Sequence, residues 1–523
     1  MPPRGHRKRK AAESAERITP PSKRQARHHE PSVNTPTKLD DLPEELILGI
    51  LDHLIFAEEG NAQRYFKTLH DLCLTSRKFY RLAKPYLYTI VDNVFVDPGK
   101  LLRSAIQDPT LSERIKFLHW VDDHQGGSYV WDYKNRHKLS QIHRRELCKT
   151  LDILGVPEAQ DFRQGFSERD SRDNLASLLL LAPKIESLEV TDINLCCAPR
   201  GYKQKPCWLR LLSHTALSAS PGLAYHFQQL NTIRLRMGPI RLDYIGAILR
   251  LPALRALMLE DVFHAGRITP WRWEMEVEPR CSPIEVLYIE NSYIDSAAVA
   301  QILNAMKSLK VFCLEFGSLM DSAVHRLFDD NPPKLTYSIL SKALVEHKDT
   351  LEQLSIEDCL DGVLREFFGD QTDCLGSLQE MHKLRYLDIG LCPFREGEAG
   401  AILPPANLVG NLPCNVEHID INIEEKRGDE EEEHWKKSLE ELAKSCKAAY
   451  PLLQDIRVSK RLMGVVAVDE EVTRIKGLFK EQGVTLTMCG EEGFRPEIPM
   501  ANGEMADASD AWTSRLLAAE LLH

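Results

Sequence analysis

The chain has 523 residues, 43% of them apolar, and a formal net charge of −11 at pH 7. That length buries a sizeable core, as several units or as one long solenoid, while the negative balance excludes a protein that coats nucleic acid through a whole-chain positive field. Thirteen scattered cysteines fit reduced intracellular thiols better than a disulfide framework, and neither an apolar run long enough for a membrane span nor a signal-peptide core is found.

Residues 1–38 combine prolines and charges with almost no large apolar side chain, so a disordered basic tail is expected there. It carries two basic clusters, Arg7-Lys8-Arg9-Lys10 and Lys23-Arg24 with Arg27, separated by residues 11–22. The pair resembles a bipartite nuclear import signal, whose cations fit acidic grooves on an import receptor. A merely solubilising tail and a local nucleic-acid contact are the competing readings.

Residues 39–90 predict a small helical unit. Pro43 suits a first helical turn and Glu44-Glu45 the positive end of the helix dipole. Leu42, Leu46, Ile47, Ile50, Leu51 and Leu54 then recur at helical spacing, a stripe wide enough for more than one neighbour. Phe66, Leu69, Leu72 and Cys73 form a second stripe, and Ser76 suits the cap of a third helix carrying Phe79, Tyr80 and Leu82, which Pro85 interrupts. A unit this small needs a partner or the following domain for stability.

Tyr88–Phe95 then reads as a strand, Asp97-Pro98-Gly99 as a turn and Leu101–Ile115 as a helix, with Ile115–Trp120 as the first of a series of similar strands. Segments apolar at positions 1, 4 and 6 recur from there: IESLEV at 185–190, LNTIRL at 230–235, LRALML at 254–259, IEVLYI at 284–289, LKVFCL at 309–314, LEQLSI at 351–356, LRYLDI at 384–389, VEHIDI at 416–421 and LQDIRV at 453–458. Positions 4 and 6 of each point to one face, as a short strand requires. Helical stripes are expected between them, among them Tyr244-Ile245-Ile248-Leu249 and Ala298-Ile302-Leu303-Met306. No strand–helix unit closes its own core, so neighbours must stack. The repeat is expected over 101–490, with surface excursions near 121–175 (one helix through 137–153; Tyr129, Trp131) and 263–283 (Trp271, Trp273). Residues 425–434 read as an acidic, hydrated loop or helix entry, 469–482 as a helix and 484–488 as a last, capping strand; 491–523 reads as a loose segment ending in a helix.

Two families are similar to these stretches. Leu42-Pro43-x-Glu45, Ile50-Leu51-x-x-Leu54 and Leu72-Cys73-x-x-Ser76-Arg77-x-Phe79-x-x-Leu82 resemble an F-box, with a link over 56–66 that reads as lengthened and Phe79 where the family commonly has tryptophan. The recurrent strands resemble leucine-rich repeats; Cys359 and Cys392 fall on the asparagine or cysteine position of that consensus, whereas Val262 and Ser292 depart from it. The fold class implied is α/β, a small F-box-like bundle followed by an irregular repeat solenoid, a curved parallel sheet with helices outside. The function implied is a non-catalytic substrate-recognition subunit of a Skp1–cullin–F-box ubiquitin ligase. A Skp1-like adaptor, and through it a cullin, would bind Leu42, Pro43, Ile50, Leu51, Leu54, Leu72 and Phe79, and the repeats would hold a protein substrate. Expected localisation is the nucleus, the cytoplasm or both. A repeat scaffold or regulator without a ligase role is the alternative.

Catalytic chemistry has no motif in the sequence. Phosphate-binding glycine loops, H-E-x-x-H and G-x-S-x-G are missing, and the 18 histidines show no ligand spacing. Cys196-Cys197, Cys207 and His214 are spaced too irregularly for a good zinc site. No cofactor is expected.

Overall fold

The apolar triplets fold as strands. The computed structural model describes residues 39–57, 62–122, 139–165, 171–192, 205–219, 221–237, 240–264, 277–316, 335–357, 374–390, 394, 406–423, 429–460, 468–488, 497–499 and 505–507. Within them the strands are β1 (Ile90–Asp92), β2 (Phe117–Asp122), β3 (Ser187–Asp192), β4 (Thr232–Arg236), β5 (Ala256–Glu260), β6 (Phe263–His264), β7 (Val286–Ile294), β8 (Val311–Phe316), β9 (Gln353–Glu357), β10 (Tyr386–Gly390), β11 (His418–Ile423), β12 (Asp455–Lys460) and β13 (Thr485–Met488). They form one parallel sheet whose spatial order follows the chain, with the short β6 beside β7 and off the main path. Among the described residues the connecting helices share one core with the sheet, the arrangement expected of right-handed crossovers between successive parallel strands. The result is an α/β architecture, a long parallel sheet flanked by helices.

Register explains the sequence pattern. Position 4 of each triplet lies in one row across the sheet: Leu118, Leu188, Ile233, Leu257, Leu287, Phe312, Leu354, Leu387, Ile419, Ile456 and Leu486. Position 6 supplies a second row, from Trp120 and Val190 to Val458 and Met488, and both rows belong to the main core with the inner faces of the helices. The intervening residues face away from it, which gives β8 and β11 strict alternation of half-buried and buried side chains.

The N-terminal unit has three helices: α1 (Glu44–Ala57), α2 (Ala62–Thr75) and α3 (Arg77–Ala83), followed by a 3-10 turn at Lys84–Tyr88. Pro43 stands just ahead of α1, its carbonyl accepting from Ile47 N at 3.2 Å. Ile47, Leu51, Tyr65, Leu69, Phe79, Leu82 and Ala83 form a core of their own, against which Leu87 and Ile90 also pack. The Phe66 and Phe95 rings, 6.4 Å apart, join the unit to the turn after β1.

Several expectations need correction. The link placed at 56–66 is not lengthened over that span: α1 continues to Ala57 and α2 already begins at Ala62, because buried Tyr65 sits one turn before buried Leu69 and extends the stripe backwards. Asp97-Pro98-Gly99 is a helix start, not a free turn. Asp97 caps the helix Pro98–Gln107 by accepting from Gly99 N at 2.9 Å and Lys100 N at 3.1 Å, and Pro109 starts a separate short helix, Pro109–Ser112. The stripe at 244–249 forms two 3-10 turns, Leu242–Ile245 and Ile248–Arg250. Helices Gln141–Leu154 and Ala159–Gly165 lie within the expected surface excursion near 121–175, yet Leu147, Leu151 and Phe162 reach the main core. Of the two forms expected for the acidic stretch, the helix entry is the one found, in Asp429–Ala449. Residues 497–499 pair antiparallel with 505–507. The basic clusters, Trp131, Trp271, Trp273, Cys196-Cys197, Cys359, Cys392 and the expected terminal helix lie outside the described residues.

Candidate functional site

A helix that is apolar on two sides can turn only one of them toward its own bundle. On α1, Ile47 and Leu51 point inward, each 1% exposed, while Leu46 and Ile50 remain 56% and 45% exposed. Ahead of α1, Leu39 in the 3-10 turn Leu39–Asp41 and Pro43 are exposed as well. Half-buried Leu42 and Leu54 pack against the bundle core, and Leu74 at the end of α2 is exposed. Two residues expected at the partner surface therefore lie elsewhere. Leu51 and Phe79 are core residues of the bundle, 1% and 4% exposed, and half-buried Leu72 packs against that core. Leu39, Leu46 and Leu74 were not among the expected contacts. Leu46 was already visible in the stripe; what the sequence lacked was the rotation of α1 against its neighbours.

Hydrogen bonds hold the segment that leads into α1. Ser76 caps α3, accepting from Phe79 N at 3.2 Å and donating to Asp40 Oδ1 at 2.9 Å. Lys78 Nζ donates to the Asp40 carbonyl at 2.9 Å and the Leu42 carbonyl at 2.6 Å, so the segment that carries Leu39 and Leu42 is fastened to α3. Arg81 pairs with Glu44. At the far end Tyr86 donates to Asp52 Oδ1 at 2.6 Å, and Tyr65 donates to the Tyr86 carbonyl at 3.1 Å. Burial, then the bond to Asp52, holds the Tyr86 hydroxyl above its ordinary pKa, so it stays a donor.

The sheet face away from the helices is the second candidate surface, and it has three zones. In the first, His119 Nδ1 lies 3.0 Å from Asp92 and Nε2 3.7 Å from Glu189. Burial pulls the His119 pKa down, but the Asp92 hydrogen bond and the Glu189 charge outweigh it and hold the ring above the ordinary value. Arg234 pairs with Glu260, and Arg236 with Asp261. In the middle, Ala256, Met258, Val286 and Tyr288 form a separate buried apolar cluster with Val311 and Cys313 against it. The last zone is polar. Asp388 accepts from Ser355 at 2.8 Å and from Asn422 at 2.9 Å, Tyr386 donates to Asp420, and His418 pairs with Asp455.

Asp388 and Asp420 face each other across β10 and β11. Burial first, then the Asp420 charge, pushes the Asp388 carboxyl up to about 7. The folded chain thus keeps a proton that the unfolded chain releases near about pH 4. Stability from this group is present at the acid end and is lost as pH rises through about 7. Asp388→Asn will therefore gain melting temperature relative to the parent on going from about pH 5 to about pH 8. Thermal melts at both values decide it; an equal difference at the two would refute the assignment.

Among the described residues no group of three or more His, Cys, Asp or Glu side chains is placed to hold a metal ion. Cys207 and His214 share the helix Cys207–Ala216, where the Cys207 sulfur meets Arg210 at 3.2 Å. No helix of the described residues is long and apolar enough to cross a membrane. No protein-family model matches the chain, and no curated protein matches it.

Proposed function

We propose that the chain is a non-catalytic substrate-recognition subunit of a Skp1–cullin–F-box ubiquitin ligase. The observation that carries this reading is the exposed apolar surface at the start of the unit: Leu46 and Ile50 on α1, with Leu39 and Pro43 ahead of it, stay open to solvent on a unit whose core is already closed by Ile47, Leu51, Leu69 and Phe79. Contiguous exposed apolar surface of this kind marks a protein-docking site. In this reading a Skp1-like adaptor covers that face with Leu42 and Leu54 at its border, while Leu51, Leu72 and Phe79 support it from behind. The long sheet is a leucine-rich-repeat solenoid, and its helix-free face holds a protein substrate. The polar zone around Asp388 and Asp420, which Arg457 approaches at 3.9 Å, offers recognition groups on that face. The chain supplies proximity, and its partners perform the transfer. Arg7, Lys8, Arg9, Lys10, Lys23, Arg24 and Arg27 would engage an import receptor for entry to the nucleus.

Affinity purification of the tagged full chain after cross-linking tests the reading. A Skp1-like adaptor and a cullin will be recovered together with the substrate. Recovery of neither, from protein whose circular dichroism shows an intact fold, would leave the repeat scaffold as the better account.

A further inference from the structure

A sheet whose strands follow the chain has two ends, and here they are finished differently. β1 is three residues long and packs through Ile90 against the core of the helical unit. β13, at the other end, pairs only with β12 among the described residues. Natural sheets blunt such an edge with lysine, proline or a bulge. Thr485-Leu486-Thr487-Met488 carries no charge and no proline, and its register with β12 is unbroken.

Backbone direction fixes which groups this edge offers. Thr485 N–H donates to the Gln454 carbonyl at 2.9 Å, so Thr485 and Thr487 turn their peptide groups toward β12. Leu486, between them, turns its N–H and its carbonyl to the open side, and so does Met488. Val484 offers only its carbonyl there, because its N–H donates to the Phe479 carbonyl at 3.0 Å. The side chains alternate too. Val484, Leu486 and Met488 are buried in the main core, while Thr485 is exposed and Thr487 half-buried on the helix-free face.

This pattern of apolar and threonine residues reads the same in both directions about Leu486. Two such strands, antiparallel and centred there, place Leu486 opposite Leu486, Val484 opposite Met488 and Thr485 opposite Thr487. Each Leu486 then donates to and accepts from the other, and each Met488 N–H meets the opposite Val484 carbonyl. The threonine pairs fall at the non-hydrogen-bonded positions, where side chains are closest and such pairs are favourable. Hydrogen bonding alone would accept any strand; the symmetry of the side chains selects a second copy of this one.

We propose that β13 is a dimer seam, at which two copies of the chain join edge to edge through residues 484–488 about a twofold axis. The axis stands perpendicular to the sheet, so both sets of helices lie on one side and both helix-free faces on the other. The seam does not rest on the adaptor reading.

Sedimentation equilibrium of the full chain over about a hundredfold range of concentration tests this, and a monomer–dimer equilibrium will be found. Thr485→Lys with Thr487→Lys sets like charges opposite each other at both threonine pairs and will raise the dissociation constant about tenfold or more. Thr485→Lys with Thr487→Glu sets opposite charges there instead, beside Asp455 and Arg457 of β12, and will dimerise at least as tightly as the parent. Circular dichroism checks the fold of each variant. Amide exchange gives a reading without substitution: the Leu486 and Met488 amides will exchange more slowly in concentrated than in dilute protein. A chain that stays monomeric throughout would overturn the proposal, whether its own terminal residues or nothing at all occupied the edge. So would a dimer that the two variants alter equally or that leaves exchange at Leu486 unchanged, because its seam would lie elsewhere.

Discussion

Phe312→Ala will cost about 3–5 kcal/mol of folding free energy, the range for deleting a fully buried aromatic ring. Phe312 is 0% exposed and stands in the inner row of β8, with Leu287 on one side and Leu354 on the other. Its loss leaves a void between two neighbouring strands, and a parallel sheet fastened on both sides cannot close around it. Phe312→Leu keeps most of the volume and will cost less than about 1.5 kcal/mol. Urea unfolding followed by the fluorescence of buried Trp120 and Trp208 measures both. A cost for the alanine variant no greater than for the leucine variant would mean that Phe312 is not packed as described.

The second large effect concerns the docking face. Leu46→Glu combined with Ile50→Glu will lower affinity for a Skp1-like adaptor by about a hundredfold or more, because buried interface anchors are worth about 2 kcal/mol each. Both side chains are about half exposed, so the unfolding midpoint will shift little. The contrast is with Leu51→Ala, which removes a core side chain and will destabilise the bundle by about 2–5 kcal/mol. Titration against purified adaptor, with a melt of each variant, separates the two. Unchanged affinity in the double variant would remove this face from the adaptor reading.

Much of the fold was legible because the apolar positions 4 and 6 of each triplet carry the period of a strand, and every such triplet from IESLEV to LQDIRV became one. Irregular spacing did not hide them. Between β4 and β5 the stripe 244–249 kept helical spacing but formed 3-10 turns, a difference of geometry that apolar periodicity does not encode. The docking face was half legible. Leu46 and Leu51 belong to the same run of apolar residues, and only the placement of α2 and α3 decides which faces out. The polar zone was not legible at all, since Asp388, Asp420 and Arg457 meet only once β10, β11 and β12 are aligned in register.

The spatial order of the strands has a kinetic consequence. Along the main path each strand is bordered by the one made just before it and the one made just after. During synthesis, at roughly 5–20 residues per second, domains fold from the amino end, and in a stacked architecture each new unit needs only its predecessor as a template. The helical unit emerges ahead of β1, packs against Ile90 and presents the first strand for the second to join. Assembly can thus keep pace with the ribosome, and in the proposed reading the adaptor surface on α1 would be complete well before the last strand has been made.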